Sequence, residues 1–198
     1  MRARPSGVRR GLPALVLALL ALVVAPAAPA GTPAPAAGPA EVGSGLAPRW
    51  HVTGVPVLLR IPSIGVEAEV EGIAAEAGVL SPPADPALVG WWVAGARAGS
   101  RGGAVLLTGH TVHGGGGVFD DLAALERGDV VEVGTRAGVV AYAVVSVRDL
   151  DKEQLASTAP SLFGSGGRPR VVLVTCADWD DGDYLGNTVV VGVQQARS

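Results

Sequence analysis

From Val55 onward the chain alternates short apolar runs with clusters of glycine, proline and aspartate, the pattern of short strands separated by turns. Strands are predicted near Val57 to Ile61, Val66 to Val70, Val89 to Val93, Ala104 to Leu107, Val130 to Val133, Val139 to Val147, Val171 to Thr175 and Thr188 to Val193. Phe119, Leu122 and Leu125 recur at three-residue spacing and predict a short helix from Val118 to Leu125, ending at Gly128. A second helical piece is predicted around Asp151 to Ala156, and Arg136-Ala137-Gly138 reads as a hairpin loop. Many short strands with little helix point to a mainly β fold, a closed barrel or a sandwich.

Two of the apolar runs end on reactive side chains. Val171-Val172-Leu173-Val174-Thr175 reads as a buried strand stopping at Cys176, and Ala104-Val105-Leu106-Leu107 leads through Thr108-Gly109 to His110. After Cys176 the composition flips to Asp178, Asp180, Asp181, Gly182 and Asp183, a stretch expected to be a solvated loop before the last strand.

The part before Val55 has a different character. Arg2, Arg4, Arg9 and Arg10 precede an uncharged apolar stretch from Leu12 to Ala25, and Ala28-Pro29-Ala30 has the small-x-small form of a cleavage site. Residues 1–30 are therefore expected to be a signal peptide or an N-terminal membrane anchor that carries the rest of the chain outside. Residues 31–52 form a Pro/Ala/Gly-rich linker, and residues 53–198 one globular domain. Without the four N-terminal arginines, 11 basic residues face 18 acidic ones. An acidic body with no basic patch excludes nucleic acid as an expected partner.

In an exported chain a single cysteine has no partner for an internal disulfide, so the thiol is either buried and inert or kept for reaction. His110 is its natural partner, because an imidazole nearby stabilises a thiolate and returns a proton to a leaving amine.

Leu107-Thr108-Gly109-His110 and Val172-Leu173-Val174-Thr175-Cys176 resemble, in order and context, the histidine and cysteine motifs of the sortases. The likeness extends through Arg60-Ile61-Pro62-Ser63-Ile64-Gly65-Val66, Val89-Gly90-Trp91-Trp92, Val118-Phe119 and Gly128-Asp129-Val130-Val131-Glu132-Val133, and is strongest to the actinobacterial classes E and F. The resemblance implies an eight-stranded closed β-barrel with one or two short helices. It also implies a cysteine transpeptidase that cuts an LPxTG-like sorting signal between Thr and Gly and holds the acyl group as a thioester. The acceptor would be an amine on a peptidoglycan precursor or a protein. On that reading Cys176 is the nucleophile, His110 the acid, sorting-signal-bearing surface proteins are the substrates, and neither metal nor organic cofactor is required.

The family's third residue, an arginine before or at the start of the final strand, is absent: no arginine lies between Cys176 and Arg197. A Tyr-Arg-Asp-Asn pattern puts Leu185 at the arginine position, while alignment on the strand start puts Asn187 there. Asn187, Thr175, Arg97 and Arg101 are the candidate substitutes for contacts to the oxyanion or substrate.

The remaining conspicuous residues have plainer readings. His113 reads as a solvent loop histidine and His51 as a linker residue. The aspartates after Cys176 fail calcium-loop spacing, because Gly182 comes one place early. Adjacent Trp91 and Trp92 should face opposite sides of their strand. The alternative to a working enzyme is a degenerate sortase-like domain that binds sorting signals or a cell-wall partner. Papain-like hydrolases place cysteine before histidine, and L,D-transpeptidases carry Ser-His-Gly-Cys, so both rank behind.

Overall fold

The computed structural model describes residues 52–180 and 183–195. The expected signal or anchor segment, most of the expected linker and His51 lie outside those residues. Eight strands close into a barrel: β1 (Pro56–Ile61), β2 (Val66–Ile73), β3 (Val89–Trp92), β4 (Ala104–Thr108), β5 (Val130–Thr135), β6 (Gly138–Asp151), β7 (Arg170–Asp180) and β8 (Asp183–Gln194). Around the barrel the order is β1-β2-β3-β4-β7-β8-β6-β5. β2–β3 and β4–β7 pair in parallel, and every other contact is antiparallel. Closure leaves no open edge among the described strands.

The sheet is covered on both faces where β4, β7 and β8 run together. Leu107, Leu173 and Val190 point into the barrel with Leu59, Ile61 and Tyr142. Leu106, Val172, Val174 and Val189 point outward and are covered by Leu80 and by Leu155 and Leu162 of α1 (Lys152–Phe163), the one α-helix among the described residues. Two covered faces explain why these strands read as unbroken apolar runs instead of alternating ones. Each such buried side chain contributes about 1.5–3 kcal/mol, so the outer cluster under α1 is a second core.

α1 starts on a reciprocal cap. The Asp151 carboxylate accepts the Gln154 N–H at 2.7 Å, and the Gln154 side chain accepts the Asp151 N–H at 3.1 Å. At its other end Arg170 donates to the carbonyls of Leu162, Ser161 and Gly164, which fixes the helix to the start of β7. Partial burial lowers the Arg170 pKa. The helix is longer than the expected Asp151 to Ala156 and continues past Pro160 to Phe163.

The other predicted helix is not formed. Between Val118 and Leu125 only Leu122–Ala124 makes a single 3₁₀ turn. The Val118 and Phe119 N–H groups donate to the carbonyls of Pro86 and His110, and those of Leu122, Ala124 and Leu125 close separate three-residue turns, so no i→i−4 ladder is built. Phe119, Leu122 and Leu125 are nevertheless all buried in the barrel. The hairpin at Arg136-Ala137 is present, with Thr135 opposite Gly138. Trp91 is buried and Trp92 packs against the outer cluster, on opposite faces as expected.

Candidate active site

β4 and β7 run parallel in the register Leu106↔Val172, Leu107↔Leu173, Thr108↔Val174. The Gly109 N–H continues it by donating to the Val174 carbonyl at 3.3 Å. His110 and Cys176 each lie two residues beyond the last pair of this register. Alternation along β7 puts Cys176 on the outer face with Val174 and Val172, and His110 follows β4 two residues beyond the outward Thr108. Cys176 is buried, with 9% of its surface exposed, and His110 is half-buried.

On its other side Cys176 is the direct antiparallel partner of Asn187. Such partners carry their side chains on one face with Cβ atoms about 4.5–5.5 Å apart. Asn187 is 5% exposed, and its Oδ1 has no hydrogen-bond partner in the protein. The buried Thr108 Oγ1, on the same outer face, has none either. A buried polar atom without a partner is costly, and Asn187 Oδ1 is one on the residue paired with Cys176. Leu185, two residues before Asn187 on the same face, is 52% exposed at the rim.

Cys176 does not end its strand. β7 runs on to Asp180 and β8 begins at Asp183, with Ala177↔Gly186, Trp179↔Tyr184 and Asp180↔Asp183 paired. The stretch expected as a solvated acidic loop is thus mostly a two-stranded ribbon, because backbone pairing persists beyond the point where β4 stops. What ends near Cys176 is β4, at Thr108.

Thr175 points the other way. Its hydroxyl donates to the Gly109 carbonyl at 2.8 Å and lies 2.7 Å from the Thr111 hydroxyl. Placed on the inner face, it does not contact a substrate at the thiol; it fastens the backbone on either side of His110 to β7. Buried Tyr184 adds a second tie, donating to the Thr111 carbonyl at 2.9 Å and accepting the His113 backbone N–H. Burial raises the Tyr184 pKa, and the nearby charges of Cys176 and Asp120 add to the rise. Thr111, Val112, His113, Asp120, Ala177 and Tyr184 line a cavity of about 300 Å³. It opens on the side of β7 opposite the cysteine side chain. His113 therefore belongs to this cavity wall and not to the row of Cys176 and His110.

Arg97 and Arg101 are not brought to the site. Ala96 bonds to Ala104 at the start of β4, which is level with Arg170 at the start of β7. That end lies about 20 Å from Cys176 along the strand, beyond the reach of an arginine side chain. Thr108, Thr111 and Tyr184 were not singled out from the sequence. Thr108 alone carried a usable signal, since it is two residues before His110 and so shares its face on a strand.

A family model described as the sortase domain matches residues 59–195. The chain belongs to the sortase family. Sortase C-1 from Actinomyces oris matches at a TM-score of 0.57 and 23% identity, covering 72% of this chain and 76% of that one. A lid mutant of sortase A from Corynebacterium diphtheriae matches at 0.57 and 15% identity, covering 76% and 75%. Sortase C2 of the Group B Streptococcus pilus island 1 matches at 0.52 and 21% identity, covering 70% and 73%. At these identities the structures speak for the fold, and the likeness to classes E and F rests on the sequence motifs. No match was found among curated proteins.

Proposed function

We propose that this sortase is an exported cysteine transpeptidase, held at or released from the outer face of the cell membrane. It cleaves an LPxTG-like sorting signal between Thr and Gly and passes the acyl group to a cell-wall or protein amine. The observation that carries the reading is the parallel β4–β7 register, which stops two residues short of both His110 and Cys176, together with the direct pairing of Cys176 with Asn187. In this reading the Cys176 thiolate attacks the Thr carbonyl and the Sγ–C bond forms as the C–N bond breaks. His110 gives a proton to the departing glycine amine, and the thioester is then taken by the acceptor amine. The Asn187 amide donates to the oxyanion in place of the family arginine, a neutral donor supplying a weaker version of the same stabilisation.

A second reading is favoured by Leu185. An apolar side chain at the arginine position fits a binding domain that grips sorting signals without turnover.

The full chain incubated with an LPxTG-type peptide and an amine, followed by intact mass, separates the two. A Cys176-dependent acyl adduct discharged by the amine is the expected result. Saturable peptide binding with no adduct and no product would replace the enzyme by the binding domain.

A further inference from the structure

His110 is held from outside the barrel. Its Nε2 lies 2.7 Å from the carbonyl oxygen of Pro83, in the connection between β2 and β3. A carbonyl only accepts, so Nε2 carries the proton. The neutral ring then presents a lone pair only at Nδ1.

The strap that brings this carbonyl is fixed along its length. Leu80 is buried in the outer cluster, and Pro83 is itself buried. Pro86 accepts the Val118 N–H at 2.9 Å, while the His110 carbonyl accepts the N–H of the next residue, Phe119, at 2.9 Å. Strap and histidine loop are thereby tied to adjacent residues. Pro82, Pro83 and Pro86 restrict the backbone before any of these bonds form. Beneath the strap lies Gly90 of β3, paired with Thr108. A Cβ at Gly90 would stand 2.9 Å from the Pro83 ring and 2.6 Å from the end of Ile73. The missing side chain is what lets the strap lie close enough to the sheet for its carbonyl to meet His110.

We infer that the Pro83 carbonyl is the positioning partner of His110, holding the Nε2–H tautomer and committing Nδ1 to every proton exchange of the transpeptidation proposed above. It does for this histidine what a carboxylate or amide does in other Cys–His and Ser–His sites. The inference rests on the transpeptidase reading. In the first half-reaction Nδ1 takes the Cys176 proton, the thiolate adds to the carbonyl carbon, and Nδ1–H returns that proton to the amine as the C–N bond breaks. In the second, Nδ1 takes a proton from the acceptor amine as its nitrogen displaces sulfur, and returns it to the thiolate. No proton is gained or lost over the cycle, and Nε2 never leaves Pro83.

The test labels the full chain with ¹⁵N-histidine and assigns His110 through a His110→Gln variant. The expected spectrum of the neutral ring has a protonated Nε2 and an unprotonated Nδ1. Gly90→Val, which pushes the strap outward, should lose this bias and lower kcat about tenfold or more with KM little changed. Pro83→Gly keeps the carbonyl but loosens the strap, and should do the same more mildly if Gly90→Val fails to fold. A protonated Nδ1, or an even tautomer mixture, in an active wild-type protein would overturn the assignment alone. So would a variant that loses the bias and keeps its kcat. A wild-type chain that forms no acyl-enzyme removes the transpeptidase reading, and this role falls with it.

Discussion

Asn187 stands directly opposite Cys176 in the β7–β8 pairing, buried, with its carbonyl oxygen unsatisfied. Asn187→Ala therefore removes the one polar side chain across the strand from the thiol. Acyl-enzyme formation should fall on the order of 10²–10³-fold while the unfolding midpoint hardly moves, since an unsatisfied buried oxygen is removed along with the donor. Single-turnover mass spectrometry beside a denaturant titration reads both. An unchanged rate would end the role of Asn187 as oxyanion donor.

Leu185→Arg should raise activity. Leu185 lies on the same face as Asn187, two residues away, and is therefore a diagonal neighbour of Cys176 at about 7–8 Å, within the span of a guanidinium. Its exposure at the rim means the substitution costs little packing. Faster acyl transfer than wild type is the expected outcome. A rate equal to or below wild type would show that the missing arginine is not what limits this site.

Gly109→Ala should be destabilising by about 1–3 kcal/mol through overpacking. The added methyl would lie 2.6 Å from both Phe119 and Val118, which are held against the barrel at this level. Since Gly109 adjoins His110, acyl-enzyme formation should fall along with the unfolding midpoint. A variant as stable and as fast as wild type would mean that the loop has slack the packing does not suggest.

Tyr142 supplies a pH signature for the barrel itself. Burial raises its pKa above the usual 10.0, and the Gly99 N–H donated to its oxygen only partly offsets this. The neutral phenol is thus favoured in the folded state. This contribution to stability is complete below the unfolded tyrosine value and is lost as pH rises through the folded one. Denaturant midpoints should fall on the alkaline side of 10.0 in wild type. In Tyr142→Phe the same fall should be shallower; equal slopes would assign the alkaline loss to other groups.

The eight strands were legible because their apolar runs were, and β4 and β7 announced double burial by not alternating. Cys176 and His110 stood out for the same reason, each following a run with no polar interruption. The ends of elements were less legible. β7 and β8 extend into the aspartate-rich stretch because pairing of backbone to backbone is indifferent to charge, and Phe119, Leu122 and Leu125 have helical spacing without a helix because Val118 and Phe119 give their N–H groups to Pro86 and His110. Arg97 and Arg101 looked available because linear sequence does not say which rim of a barrel a loop occupies. Pro83 was illegible altogether: 27 residues separate it from His110, and its contribution is a carbonyl every residue possesses.

The parallel pairing of β4 with β7 has a consequence for how this protein comes into being. His110 and Cys176 meet only after the intervening chain has built β5, β6 and α1, and Asn187 joins them only when β8 has entered between β7 and β6. Contacts this distant in sequence form late in folding. In a nascent chain Cys176 therefore lacks its strand partner Asn187 until the barrel has closed.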